Sequence, residues 1–375
     1  MFEITNTPRP YAWGSTSALA ELRGVSPSGN PEAEIWFGDH EGSPATRVDD
    51  GRTLGQWEAD TGSSELPFLL KILAVATPLS IQVHPTREAA RAGFTREDLA
   101  GIPLDSPTRN YKDANHKPEI IRAVTEFSAL SGFRPPSDRT AVLEFLVSKS
   151  VAGAAELAEA HTIGLREVVE RIVRHDPSAV SVAAALLGTI PDSGSAVIDD
   201  AIATAQTVAR AFPSDPGATL ALLLNHIVLS PGKALAVPAG TVHAYLSGVG
   251  VEVMASSDNV LRGGCTAKHI DADEFLSVVD WDERPAELIT PDIDGPIARL
   301  RASFDDCQLI DISVEGDVTV SVSTPAIALV IDGVVTLASD SQLHLTPGRA
   351  AFLEPSDVPI HASGRGILVV ATRAE

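Results

Sequence analysis

Cysteine and lysine are scarce in this chain, and positive charge is scarce altogether. Two cysteines in 375 residues, Cys265 and Cys307, exclude a disulfide framework and a cysteine-based zinc site. Fifty acidic against 28 basic side chains leave a formal net charge of -22. Without a basic footprint, nucleic acid and anionic lipid are excluded as partners. No unbroken apolar run has the length of a membrane helix, and the opening MFEITNTPRPYAWGS has neither the basic nor the hydrophobic segment of a signal peptide. The expectation is a cytoplasmic protein of about two to three domains.

Lysine supplies only six of the 28 cations: Lys71, Lys112, Lys117, Lys149, Lys233 and Lys268. Where the surface merely needs positive charge, the chain uses arginine. Three of the six, Lys71, Lys117 and Lys268, lie in or beside segments with other chemistry-bearing residues. Lysine holds a phosphate as a point charge and loses its proton readily when desolvated, so their placement points to a site.

The densest such segment is PLSIQVHP, Pro78–Pro85. LSIQV is a run of β-formers, and residues two apart on a strand share a face. Gln82 and His84 therefore point the same way, as half of a metal site. NHKPE (Asn115–Glu119) adds a carboxylate, because Pro118 disfavours helix at Lys117 and makes the segment a turn into a strand 119–124. A second imidazole comes from SPGKALAVPAGTVHAYLSG (Ser230–Gly248), which reads as strand, Pro-Ala-Gly turn, strand. Its spacing, Gly232, Pro238, Gly240, His243, matches the second signature motif of cupins, small jelly-roll barrels with a metal near the mouth. Ser247 departs from that motif, which usually has asparagine there.

Around these segments the composition changes twice. Residues 1–135 read as short strands separated by Gly, Pro, Asp and Ser, with Lys71 inside the apolar run PFLLKILAV and a short helix after His84. Trp13, in the loop YAWGS, is either core packing or a wall for a sugar ring. Residues 136–228 are Ala-rich with apolar residues at helical spacing. They form a helical domain without a catalytic constellation, in which His161 and His175 are surface or cap residues. The chain then returns to β. TPGRAAFLEPSDVPIHASG (Thr346–Gly364) resembles Ser230–Gly248 at the same length of 19 residues, which indicates an internal repeat and a second, degenerate, metal-free barrel around His361.

PLSIQVHP, NHKPE, PAGTVHAYLSG and SDNVLRGGCTAKHID, in this order and with YAWGS and AEIWFG near the start, resemble type I mannose-6-phosphate isomerases. The resemblance is close over residues 8–135 and 229–275 and weak elsewhere. It implies a mainly β fold with an α-helical insertion: a zinc-binding catalytic jelly roll from residues 1–135 and 229–285, the helical domain 136–228, and a C-terminal degenerate jelly roll 286–375. It implies one zinc ion held by Gln82, His84, Glu119 and His243, an open set of N and O ligands suited to catalysis. Arg262 becomes the catalytic arginine, and Lys71, Ser80, His116, Lys117, Tyr245, Glu252, Asp258 and Lys268 surround the phosphosugar. A monomer is the expectation.

The implied reaction interconverts mannose 6-phosphate and fructose 6-phosphate through an enediol. The base that takes the C2 proton is Lys117 or Glu252, and the sequence does not choose between them. His116 and Asp258 would assist ring opening. Two rival readings are a catalytically silent cupin that binds a sugar or metal and a metal-dependent oxygenase, whose iron sites favour two histidines and a carboxylate. A bifunctional enzyme would need a nucleotidyltransferase domain, and none is visible.

Overall fold

The computed structural model of the chain describes residues 1–63 and 66–374. One strand orders the first half of the molecule. His243–Ala255 follows the turn made by Pro238–Gly240 and runs for 13 residues. At its start it pairs with Ile81–Val83 and Phe127–Phe133. Further along it lies between Phe68–Val75 and Glu119–Ala123. A register shift between Tyr245 and Ser247 separates the two halves. Gly248 sits there with φ +115°, where a Cβ would meet the Glu126 carbonyl at 2.4 Å. Only glycine fits that bend.

The register places chemistry in rows. Gln82 lies opposite His243, Arg262 opposite Gln82, and Lys71 opposite Glu252. Alternation decides what lies behind each of them. Val251 and Val253 join Ile35, Leu70 and Ile72 in a core that faces Ile327, Leu329, Phe352 and Val369 of a second sheet, so Glu252 projects from the opposite face. Ile81 and Val83 flank Gln82 and pack into the core shared with the helices.

The helical stretch opens with Pro136–Ser148 and includes Ala154–Ile163, Leu165–Val173, Pro177–Ala185 and Ala196–Ala211. In Leu165–Val173 the buried side chains Val168, Val169, Ile172 and Val173 form one stripe. That stripe packs with Leu220, Leu223, Val242 and Leu246 in the same core as Ile81 and Val83. The helices therefore buttress the strand that carries Gln82.

The structure corrects three features expected from the sequence. Helix ends at Ala221, and Leu224–Leu229 is already a strand, paired with Phe127–Phe133. The opening strand Phe2–Thr5 pairs with Ala350–Leu353 and with Thr46–Arg47, so it belongs to the C-terminal sheet. Glu287–Ile289 pairs with Ala234–Val237 in the first sheet. Strand thus replaces helix a few residues before 228, pairing in the first sheet reaches Ile289, and Phe2–Thr5 lies in the C-terminal sheet. Such pairings join residues far apart in sequence and leave no local pattern to read.

The two isolated histidines both lie near helix ends. His161 lies in the last turn of Ala154–Ile163, half-buried with its Nδ1 enclosed. His175 follows the next helix with φ +58°, as a residue beyond a helix C-cap does. Among the described residues no helix is long and apolar enough to cross a membrane.

Candidate metal centre

His84, Glu119 and His243 meet in the interior with their ligand atoms within 4.8 Å of one another. Each arrives by a separate local device. His84 follows Ile81–Val83 and lies two residues beyond Gln82. Glu119 opens its strand directly after Pro118. His243 is aimed by the Pro-Ala-Gly turn, whose Gly240 adopts φ +83° and donates its N–H to the His84 carbonyl at 2.8 Å. One turn therefore sets both imidazoles, whose ring centres stand 4.9 Å apart.

Hydrogen bonding fixes both tautomers. His84 Nδ1 lies 2.8 Å from the Asn259 carbonyl and His243 Nδ1 2.9 Å from the Thr241 carbonyl. A carbonyl only accepts, so each Nδ1 carries the proton and each Nε2 presents a lone pair. His84 Nε2 is buried with no hydrogen-bond partner, although Glu119 Oε1 is 3.1 Å away. His243 Nε2 stands 3.6 Å from Glu119 Oε2. Lone pairs facing a carboxylate at these distances are held together by a cation between them, and imidazoles braced by backbone carbonyls are the usual form of metal-ligating histidine. Burial keeps both rings neutral, His84 down to about 4 with help from Lys117, and His243 also below its ordinary value. Gln82 completes the group, its side-chain amide 3.3 Å from His243 Nε2. Turning that amide over presents its oxygen instead. The residues fit a divalent metal.

Glu119 is the most heavily used side chain here. Burial opposes its ionisation, yet the charge of Lys117 outweighs that and holds the carboxyl well below the usual range. Lys117 Nζ donates to its Oε1 at 2.6 Å and the Tyr245 hydroxyl to its Oε2 at 2.9 Å. Tyr245, expected to contact substrate, thus also braces Glu119. Next to this group, Lys71 Nζ lies 3.2 Å from Glu252 and 3.9 Å from Glu34, over the Trp36 ring. Burial alone would strip the Lys71 proton, but Glu252, Glu34 and Glu119 more than compensate and push its pKa up. Desolvation thus does not make Lys71 a base. Glu252 is raised to about 7, by burial first and the Glu119 charge second.

The remaining expected residues surround this centre. Arg262 is half-buried, and burial alone lowers its pKa. Lys268 is lowered by burial and by Arg262. Among the described residues no carboxylate forms an ion pair with either. Ser80 is half-buried beside Ile81. Trp13 stacks on Tyr11 at 6.0 Å and packs against a core cluster with Tyr245 and Phe127, so part of its ring is core. Asp258 is exposed and 3.2 Å from His40. His116 Nε2 lies 2.7 Å from Asp306, which also binds Arg87 at 2.6 Å. His361 of the C-terminal repeat is exposed beside the Thr319 hydroxyl.

Sequence reasoning missed four contributors: Glu34, Thr241, Asn259 and Asp306. Glu34 and Trp36 stand two apart in AEIWF, on the strand beside Lys71, and the indole donates to the Glu34 carboxylate. That spacing was a usable signal. Thr241 acts through its backbone, and Asp306 comes from the far half of the chain, so neither had one.

Fold and site together define a β-sheet protein with inserted helices and a buried metal centre of two imidazoles, a carboxylate and an amide, lined by lysines. The model of the phosphomannose isomerase type I catalytic domain matches residues 1–136. Mannose-6-phosphate isomerases of Shigella flexneri and Escherichia coli are 38% and 37% identical to the chain, over 98% of it and 98% of theirs. The human one is 28% identical over 96% of this chain and 97% of its own. A crystal structure of the Salmonella typhimurium mannose 6-phosphate isomerase, bound to its substrate fructose 6-phosphate and to zinc, superposes with a TM-score of 0.89 at 33% identity over the whole of both chains. The chain belongs to the mannose-6-phosphate isomerase family.

Proposed function

We propose that this chain is a zinc-dependent aldose-ketose isomerase that interconverts mannose 6-phosphate and fructose 6-phosphate. The observation that carries the reading is the paired geometry at His84, Glu119 and His243: two fixed lone pairs aimed at one carboxylate in the buried interior. A silent sugar-binding cupin needs no such centre beside a buried Lys71–Glu252 pair. An oxygenase needs no Gln82 and no cluster of lysines. Jelly-roll architecture is proposed for both sheets, supported by the repeated strand-turn-strand units 234–255 and 350–372.

Gln82, His84, Glu119 and His243 would hold the zinc, which when bound polarises the sugar's carbonyl and hydroxyl oxygens. Arg262 and Lys268 supply the charge that receives the 6-phosphate, since neither is ion-paired with a carboxylate among the described residues. Glu252 is the better of the two bases. Its carboxylate takes the C2 proton, the released pair forms the C1–C2 double bond as the carbonyl pair moves onto O1, and the O2 hydroxyl proton passes to O1. The C2–O2 carbonyl then forms as the proton held by Glu252 returns to C1. Lys71, 3.2 Å away, holds the carboxylate in place. Lys117 is already bound to Glu119, which leaves it the role of a nearby positive centre. His116, whose Nε2 lies 2.7 Å from Asp306, and Asp258 are the candidates to assist ring opening.

Purified protein is expected to convert fructose 6-phosphate to mannose 6-phosphate in a coupled assay. The double variant Arg262→Ala/Lys268→Ala should raise KM steeply, since each charge-assisted contact contributes about 1.5–3 kcal/mol. A KM like that of the wild type would move the phosphate elsewhere.

A further inference from the structure

We infer that Asn259 is a positioning residue that sets His84 and the loop before Lys117 as one unit, an inference that rests on the zinc site proposed above. Asn259 is fully buried and uses all its polar groups. Its backbone carbonyl accepts from His84 Nδ1 at 2.8 Å. Its side-chain oxygen accepts from the Lys112 N–H at 2.7 Å and the Asp113 N–H at 3.3 Å. Its side-chain nitrogen donates to the carbonyls of Asn115 at 2.8 Å and Asp113 at 2.9 Å, and to Asp113 Oδ1 at 3.1 Å. The loop 112–116 is therefore wrapped around one amide.

Neighbouring bonds close the knot. The Ser257 hydroxyl donates to the Asp113 carboxylate at 2.9 Å and accepts from the Asn259 N–H at 3.2 Å. The Asp258 N–H donates to Asp113 Oδ2 at 2.8 Å, and the Asn115 amide to the Ser256 carbonyl at 3.1 Å. Three residues on lies Arg262, registered against Gln82. A displacement of Asn259 thus moves the acceptor that fixes the His84 tautomer, the start of the strand carrying Arg262, and the loop that leads through His116 and Lys117 to Glu119. Loss of a group that orients a metal ligand typically costs about 10–100-fold in metal affinity.

Asn259→Asp tests this with almost no change of shape. It keeps an acceptor for the Lys112 and Asp113 N–H groups but sets a carboxylate against three oxygens of Asp113 and Asn115. Zinc affinity would be measured by competition with a chromophoric chelator, on protein whose folding is checked by circular dichroism. The expected result is a zinc Kd raised by about 10–100-fold. A folded variant with a lower melting temperature and the zinc Kd of the wild type would overturn the inference and leave Asn259 a purely structural residue. If Asn259→Asp does not fold, Ser257→Ala, which loosens the same knot, is expected to raise the zinc Kd, and an unchanged Kd would overturn the inference equally. His84→Ala separates this from the parent reading. Should wild type not bind zinc, or His84→Ala bind it as wild type does, the metal site itself is wrong.

Discussion

Replacing Glu252 by glutamine is expected to lower kcat by about 10²–10⁴-fold, the usual contribution of a general base, with KM and zinc content little changed. Glutamine keeps the shape and the hydrogen-bonding oxygen toward Lys71 but cannot take a proton. The pH profile gives a second signature. Burial and the Glu119 charge raise the Glu252 carboxyl to about 7, and only the deprotonated form accepts the C2 proton. The rate therefore falls as pH drops through this value. A dication at Glu119 offsets the repulsion from that carboxylate and draws the acid limb below 7. Glu252→Gln should abolish the limb along with the rate, whereas Lys117→Met should lower kcat and keep it. The opposite pattern would make Lys117 the base.

The second large effect is expected at Glu119→Gln. The substitution removes an anionic ligand, so zinc affinity should fall by more than the roughly 100-fold that loss of an outer-shell partner costs. It also leaves Lys117, itself buried, without its partner at 2.6 Å. Breaking a buried ion pair on one side costs about 3–5 kcal/mol, which should appear as a large drop in the melting temperature of the zinc-free protein. The double variant Lys117→Met/Glu119→Gln should recover much of that stability and none of the zinc affinity. Stability and metal binding moving together in the double variant would contradict this division.

What the sequence made legible follows from how local each signal was. Gln82 and His84 share a strand face because alternation puts residues two apart together, and the fold agrees. The Pro-Ala-Gly turn announced an aimed His243, and its Gly240 also reaches back to His84. The helical region was visible from its spacing, but Ala154–Ile163 shows no clear apolar stripe and was not singled out. The membership of Phe2–Thr5 in the C-terminal sheet is a pairing across more than three hundred residues, invisible to any local pattern. Glu252 illustrates the boundary well. Its alternation against Val251 and Val253 was plain, yet which face met Lys71 and Glu119 depended on a second sheet packing over the valines. The choice between Lys117 and Glu252 depended in the same way on who their neighbours were. Lys117 is bound to Glu119 at 2.6 Å, and Glu252, although paired with Lys71 at 3.2 Å, is raised by burial and by the nearby Glu119 carboxylate.

The most direct test of the central claim is isomerisation of fructose 6-phosphate by the purified protein before and after metal is stripped with a chelator. Activity lost on chelation and restored by zinc is the predicted result. Activity that survives complete removal of the metal would contradict the metal centre at His84, Glu119 and His243.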